Sequence, residues 1–457
     1  MKTLKVTLKQ HTPLIHFQHD QYGATLRVSE VKPKLDKFII KKAFNDEWER
    51  CKEYLVGYKK SKKENADKRK EEEISLNKGL EQKFREGFRT LNYKLKIDTE
   101  TGDSNCGTGK KIPMYFGNMG DGEKKETIYS KNPINLTFII DGIFEAILKN
   151  NITEFFLVTN FGTRQSKGYG SFYISEKDEL FKEPDDYIGV SSYIQTKFSC
   201  KCRDWKKAQD IVDIFYKTIR SGINVCRKIC SKEIPKPTCK VLKESKVNVI
   251  VDKKQVDICK ECKHYIPNGS VFYFKSTLFH YIQNKLNKQW DKKTIKNALY
   301  NEIYDNEKEL YRDLLGLASN TKFGKSLLEK KSDDGIDRYK SPIFIKPIEM
   351  YDGFFTFYIG YEDINDGILG TRFNIEIDGE KLLALKTPKE FDINDYFKYL
   401  FESQPKCNFT VDDLIGNKRI RNRKTNEEVH PDSKQHQNYE LLKDIYAQLR
   451  SNYKVTP

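Results

Sequence analysis

Phe155-Phe156-Leu157-Val158-Thr159-Asn160-Phe161-Gly162-Thr163-Arg164-Gln165-Ser166-Lys167-Gly168-Tyr169-Gly170-Ser171-Phe172-Tyr173-Ile174 reads as an apolar strand, a glycine-rich basic turn and a second strand. Gly162, Gly168 and Gly170 permit backbone angles that a side chain forbids. They also let backbone N–H groups come close to an anion. Arg164 and Lys167 add charge at the same place, and Tyr169 adds a flat ring on which a base stacks. Without a partner these residues make a hairpin closed by a glycine turn. With one, they cradle the phosphates of a nucleic-acid backbone.

Working outward, Leu4-Lys5-Val6-Thr7-Leu8 alternates as a half-buried strand does, and His11-Thr12-Pro13-Leu14-Ile15-His16-Phe17 continues it. Thr25 to Val31 leads to Pro33, after which Leu35, Phe38 and Ile39 predict a helix. Tyr58 to Glu73 is nearly all charged and polar, an exposed helix or a mobile segment, and Gly102 to Glu126 reads as a long loop. Ile134 to Ile140 is a strand, followed by Ile143, Phe144, Ile147 and Leu148 at helical spacing. The first half thus follows the βαββαβ, ferredoxin-like order.

Tyr193 to Phe198 adds a strand, and Ile211, Ile214, Phe215, Thr218, Ile219 and Ile223 form a helical stripe. Pro235, Pro237 and the lysines up to Lys246 read as a linker. A second unit opens with the strand Val247 to Val251. It continues with a helix at Leu278, Phe279, Ile282 and Leu286, then strands at 343–345, 354–358 and 373–375. The aromatics of Phe354 to Tyr358 alternate, which suits core packing better than a stacking platform. The expected architecture is α+β: a first domain over 1–234, a second over 247–410, and a basic tail over 411–457 with a short helix at Tyr439 to Leu449.

With 82 Lys+Arg against 66 Asp+Glu, the 457-residue chain carries a formal charge of +16, which favours polyanion partners. Many lysines sit beside glutamates, so part of that charge is a solvated face. No stretch approaches the ~20 apolar residues of a membrane span. Met1 to Leu8 lacks the apolar core of a signal peptide, which predicts a cytoplasmic protein with its ten cysteines reduced or metal-bound. Cys226, Cys230, Cys259 and Cys262 are the candidate ligands of a structural zinc. Cys226 and Cys230 stand one helical turn apart. The alternative is thiols packed as small apolar groups.

His11, His16 and His19 cluster near the N-terminus, where a histidine suits general acid/base work. No second set of catalytic partners accompanies them, so His16 packs at a strand end or contacts nucleic acid, and Arg27 and Lys32 meet phosphate or stay as surface charge. Ser319 to Ser326 nearly matches a phosphate-binding P-loop, but its first position is Ser. Gly107-Thr108-Gly109-Lys110 is followed by Lys rather than Ser or Thr. Both matches read as accidental, and Lys325 is kept, with Lys322, as a nucleic-acid contact.

The segment Gly162 to Ser171, directly after an apolar run, resembles the glycine-rich loop of the RAMP superfamily, the RNA-binding proteins of CRISPR–Cas effectors. His11 to Phe17 is similar to the end of that family's first strand. Leu315-Gly316-Leu317-Ala318 followed by Arg338-Tyr339-Lys340-Ser341-Pro342-Ile343 is similar to its later glycine and Arg…Ser-Pro pattern. Tandem domains and this length most resemble subunit one of the type III-B Cmr complex, the two-RAMP head subunit. The insertions at 45–125 and 200–265 depart from the simplest family pattern. The resemblance implies two ferredoxin-like, RRM-like domains holding guide RNA and target RNA by backbone and shape, beside other RAMP subunits, without catalysis or cofactor. The alternatives are a metal-independent RAMP endoribonuclease acting on repeat RNA through His11, His16 or His19, and a P-loop-like NTPase.

Overall fold

In the computed structural model the described residues are 2–15, 25–59, 67–99, 111–113, 124–126, 128–227, 246–251, 254–259, 265–266, 270–288, 295, 309–318, 320–323, 326–364, 366–402, 415–419 and 433–455. Helices and several small antiparallel sheets make an α+β fold.

The first sheet is built from β1 (Lys2–Gln10), β2 (Lys94–Thr99), β3 (Ile134–Ile140) and β4 (Phe172–Ile174), in the order β2-β3-β1-β4. Every neighbouring pair is antiparallel, with Val6 opposite Leu136 and Lys9 opposite Tyr173. Alternation decides which side is covered: Val6, Leu8, Leu136, Phe138 and Ile140 are buried. They share a core with α1 (Val28–Phe44) and α2 (Gly142–Val158).

Both helices differ from the sequence expectation. Phe155 to Val158 is not a strand but the last turn of α2. Ile143, Phe144, Ile147, Leu148, Ile152 and Phe155 keep a three- to four-residue spacing, and that period carries through the apolar run. The chain enters the glycine turn from a helix end. Likewise α1 starts at Val28, ahead of Pro33, which sits inside it at the loss of one backbone hydrogen bond. The helix stops at Asn45, in the left-handed conformation at φ 55°.

The cores do not follow chain order. Strand β5 (Ile194–Cys200) pairs with β7 (Phe355–Tyr361), which pairs with β6 (Ile343–Glu349). Helix α3 (Trp205–Arg220) buries Val212, Phe215 and Ile219 in the same cluster as Phe357 and Ile359. Ile223 ends the expected helical stripe in a strand, Ile223–Arg227. The tail helix is longer than expected: α4 (Ser433–Asn452) sinks Leu442, Ile445, Tyr446 and Leu449 into that second core. A smaller core, with Leu310, Leu314, Phe373, Ile375 and Leu385, underlies the four-stranded sheet that runs from Asn320 to Lys386.

Within the charged segment a helix spans Asp67–Arg85, and the expected loop contains two short paired strands, Lys111–Pro113 and Lys124–Glu126. The linker at 235–245 lies outside the described residues. Among those residues no helix is long and apolar enough to cross a membrane.

Candidate nucleic-acid interface

Residues 162–170 form a tight knot. Gly162, Gly168 and Gly170 take φ of 73°, 75° and 67°. Close approach fixes their identity as firmly as the backbone angle does. A Cβ on Gly170 would lie 2.0 Å from the Phe161 carbonyl oxygen, and one on Gly168 would lie 2.6 Å from Pro347 Cγ. Gly170→Ala should therefore lower stability by about 1–3 kcal/mol, read as a fall in the urea midpoint at unchanged slope. An unchanged midpoint would show that the knot is not rigid.

The loop amides expected to face phosphate are largely engaged inside the protein. Gly162 N–H donates to Glu30 Oε1 at 2.5 Å, so a carboxylate already occupies the anion position there. Thr163 N–H donates to the Ile15 carbonyl, Gly168 N–H to Gln165, and Gly170 N–H to Pro13. Ser171 N–H donates to Thr12 Oγ1 at 2.9 Å. These donors brace the loop, leaving external contact to side chains.

Those side chains meet on α1, α3 and the 338–342 segment. Lys34 Nζ donates to Glu30 at 3.1 Å and to the Asn160 carbonyl at 3.2 Å. Burial lowers its pKa, Glu30 opposes that, and the nearby charge of Lys340 lowers it further. Lys167 pairs with Asp213 at 3.3 Å and stands 5.6 Å from the Tyr216 ring. Its pKa is lowered by burial first, and by the charges of Arg164 and Lys217 against the pull of Asp213. Arg164, left-handed at φ 59°, holds its guanidinium 5.8 Å from the Tyr169 ring. Tyr169 itself is buried, so it is a wall of the knot and not an open stacking surface. Burial raises its pKa, and Arg164 partly offsets that.

Tyr216 joins this knot to the second glycine segment. Its hydroxyl donates to the Leu315 carbonyl at 2.9 Å, beside Gly316. Leu317 and Ala318 pair with Tyr339 and Arg338, so the two later motifs form one antiparallel piece. The resulting rim presents exposed Lys217, Arg338 and Lys340. Lys34, Lys217 and Lys340 were missed from sequence. The one local signal was Lys34 four residues after Glu30.

The other expected residues fall elsewhere. Arg27 is the half-buried residue before α1. Lys32 is turned away from the loop, bonded to Asp36 at 2.7 Å and to the Leu91 carbonyl at 2.8 Å, over the Tyr93 ring. His16, His19 and Lys325 lie outside the described residues. His11 is buried, and its Nδ1 accepts from the Glu349 amide at 3.1 Å. Asn320–Phe323 runs into a paired strand, Ser326–Ser332, where a P-loop would need a helix. Cys226 lies in a strand. Cys259 is also in a strand, and Cys230 and Cys262 are outside the described residues.

Comparison with known proteins places the chain. It matches the family model described as the Cmr1 N-terminal domain over residues 1–223, and the one described as the Cmr1 C-terminal domain over residues 273–426. Among solved structures it is similar to the crystal structure of Cmr1 from Pyrococcus furiosus in its apo form. That likeness covers 80% of this chain and 90% of that chain, at 9% sequence identity and a TM-score of 0.28. No curated protein matches it.

Proposed function

The chain belongs to the Cmr1 family, and from that premise we propose that it is a non-catalytic RNA-binding subunit of a cytoplasmic type III-B Cmr CRISPR effector. It binds guide RNA, target RNA or both at the head of the complex, beside other RAMP subunits. The β2-β3-β1-β4 order within a βαββαβ succession supports reading its first unit as a ferredoxin-like RAMP domain. A second RAMP unit follows within 247–410, completed by strand β5 and by α4 from the tail.

The observation that carries the reading is the convergence of both glycine segments on Tyr216, with Arg164, Lys217, Arg338 and Lys340 around them. A rigid knot edged by long cations holds a phosphate backbone without reading its bases. Neither a cofactor nor a catalytic histidine enters this mechanism.

The test is the tagged chain purified with its genomic neighbours, with the retained RNA sequenced. Small RNAs sharing one repeat-derived end are expected. Arg164→Ala with Lys217→Ala and Lys340→Ala should weaken binding of every RNA sequence alike. It should also reduce the slope of log affinity against log salt by roughly 2, for three lost phosphate contacts on a single strand. Sequence-selective loss, or an unchanged slope, would sink this assignment.

A further inference from the structure

The first sheet has one face that neither α1 nor α2 covers. In register across it lie Lys96, Thr137 and Lys5, and one pleat further Lys94, Ile139 and Thr3. Lys5, Lys94, Lys96, Thr3 and Ile139 are all exposed, Ile139 at 40%. Between the lysines the floor is short: Thr3, Thr7, Asn135 and Thr137. Thr7 Oγ1 donates to Asn135 Oδ1 at 3.3 Å.

The charge there is only partly neutralised. Lys96 pairs with Asp98 at 2.9 Å, and Lys9, at the far end, with Glu349 at 3.2 Å. Among the described residues Lys5 and Lys94 make no ion pair. Strand geometry puts Lys94 and Lys96 about 7 Å apart along β2, with Lys5 about 10 Å away across β3. Such spacing lets separate ammonium groups meet separate phosphates. The threonines and the asparagine offer hydrogen bonds to ribose hydroxyls, and Ile139 a small apolar contact for a sugar or base edge.

We propose that this open sheet face is a second RNA-binding surface, taking single-stranded RNA by its phosphates through Lys5, Lys94 and Lys96. The proposal rests on the RNA-binding reading above and adds a surface separate from the glycine knot. The face carries no aromatic side chain on its exposed strand positions. Recognition there is electrostatic and insensitive to sequence, and a short RNA that fills the knot alone does not sense it.

The experiment compares the full chain with Lys5→Gln/Lys94→Gln, with the Arg164/Lys217/Lys340 alanine variant, and with a control, Lys386→Gln/Lys389→Gln, at and just past the end of the strand Glu380–Lys386. Each is titrated with a short and a long labelled single-stranded RNA over a salt series. For the Lys5/Lys94 variant the long RNA should lose roughly 1.4 from its salt slope, two phosphate contacts' worth, with the short RNA unaffected. The control should match wild type. A sheet variant with an unchanged slope, beside a knot variant that loses affinity, overturns the sheet proposal and leaves the RNA-binding reading standing. No salt-dependent RNA binding by wild type overturns both. Loss of a co-purifying subunit with RNA binding intact would assign the face to a protein and overturn the proposal.

Discussion

Lys330→Ala is expected to destabilise the protein by about 3–5 kcal/mol, measured as the loss of unfolding free energy in urea at neutral pH. Lys330 and Asp313 are each about 1% exposed, and the Lys330 ammonium bonds directly to Asp313 Oδ2. Asp313 Oδ1 lies 3.9 Å from Arg220 Nη2. Burial pushes the Asp313 carboxyl up, but the charges of Lys330, Arg312 and Arg220 outweigh it and hold the group below its ordinary value. Removing Lys330 leaves a buried carboxylate supported by the charges of Arg312 and Arg220 without the direct bond to an ammonium. A carboxyl held low contributes stability above its unfolded pKa, about 3.9. That contribution fades as pH falls through the lower folded value, so the penalty should shrink in acid. The double variant Lys330→Met/Asp313→Leu removes both charges and should recover most of the loss. A single-variant cost below about 1 kcal/mol would mean that water reaches the pair.

The same cluster reaches the interface. Arg220 also donates to the Gly316 carbonyl, next to the Leu315 carbonyl that Tyr216 grips. Lys330→Ala should therefore loosen the second glycine segment before the whole fold gives way. The expected sign is weaker RNA binding at temperatures where the variant remains folded.

What sequence could show followed from local period. Val6, Leu8, Leu136 and Phe138 alternate cleanly, and their strands are where alternation puts them. Phe155-Phe156-Leu157-Val158 has no period of its own, and four apolar residues in a row fit a buried helix end as well as a strand. The glycines of the knot were legible, but their reason was not. Gly168 is small because Pro347 packs on it, and the Gly162 amide is occupied by Glu30. Both partners are remote in sequence. Nothing local at Ile194 to Cys200 announces that its sheet is completed by residues beyond 340. The rim cations Lys217 and Lys340 looked like any other lysines in a chain with so many. Only tertiary placement separates them from the solvated charge.

Lys346 gives the second large expected effect, and it concerns the seam between the chain's two halves. In β6 the residues Ile345, Lys346, Pro347 and Glu349 meet the glycine knot and its flanks. Asn160 Nδ2 donates to the Ile345 carbonyl at 2.8 Å, and Ser171 Oγ to the Pro347 carbonyl at 2.7 Å. Lys346 is fully buried, its ammonium donating to the Thr159 and Phe172 carbonyls at 2.8 Å each, one on either side of the knot. Burial, and secondarily the charge of Lys34, pull its pKa well below the ordinary lysine value. Lys346→Ala removes a packed stem and strands two carbonyls, which should cost about 2–5 kcal/mol.

The pH signature identifies the cause. For a lysine held low in the fold, the unfolded chain binds the extra proton at every pH between the folded pKa and about 10.4. Stability must therefore rise with pH across that window. His11, buried beside the same seam and also held low by burial, contributes its rise only up to about pH 6.5. Cys51, whose thiol burial pushes up to about 11, opposes the rise from about pH 8.5, and Tyr173 and Tyr358, held high by burial, do so only above about pH 10. Between pH 7 and 9.5 the upward slope should thus belong to the buried lysines, with Lys34 and Lys167 adding smaller shares. Lys346→Met keeps the stem, removes the proton site and should flatten most of that slope. If Lys346→Met retains the wild-type slope, the ammonium is solvated in the native protein. The knot would then be braced by Asn160, Ser171 and Pro347 without it.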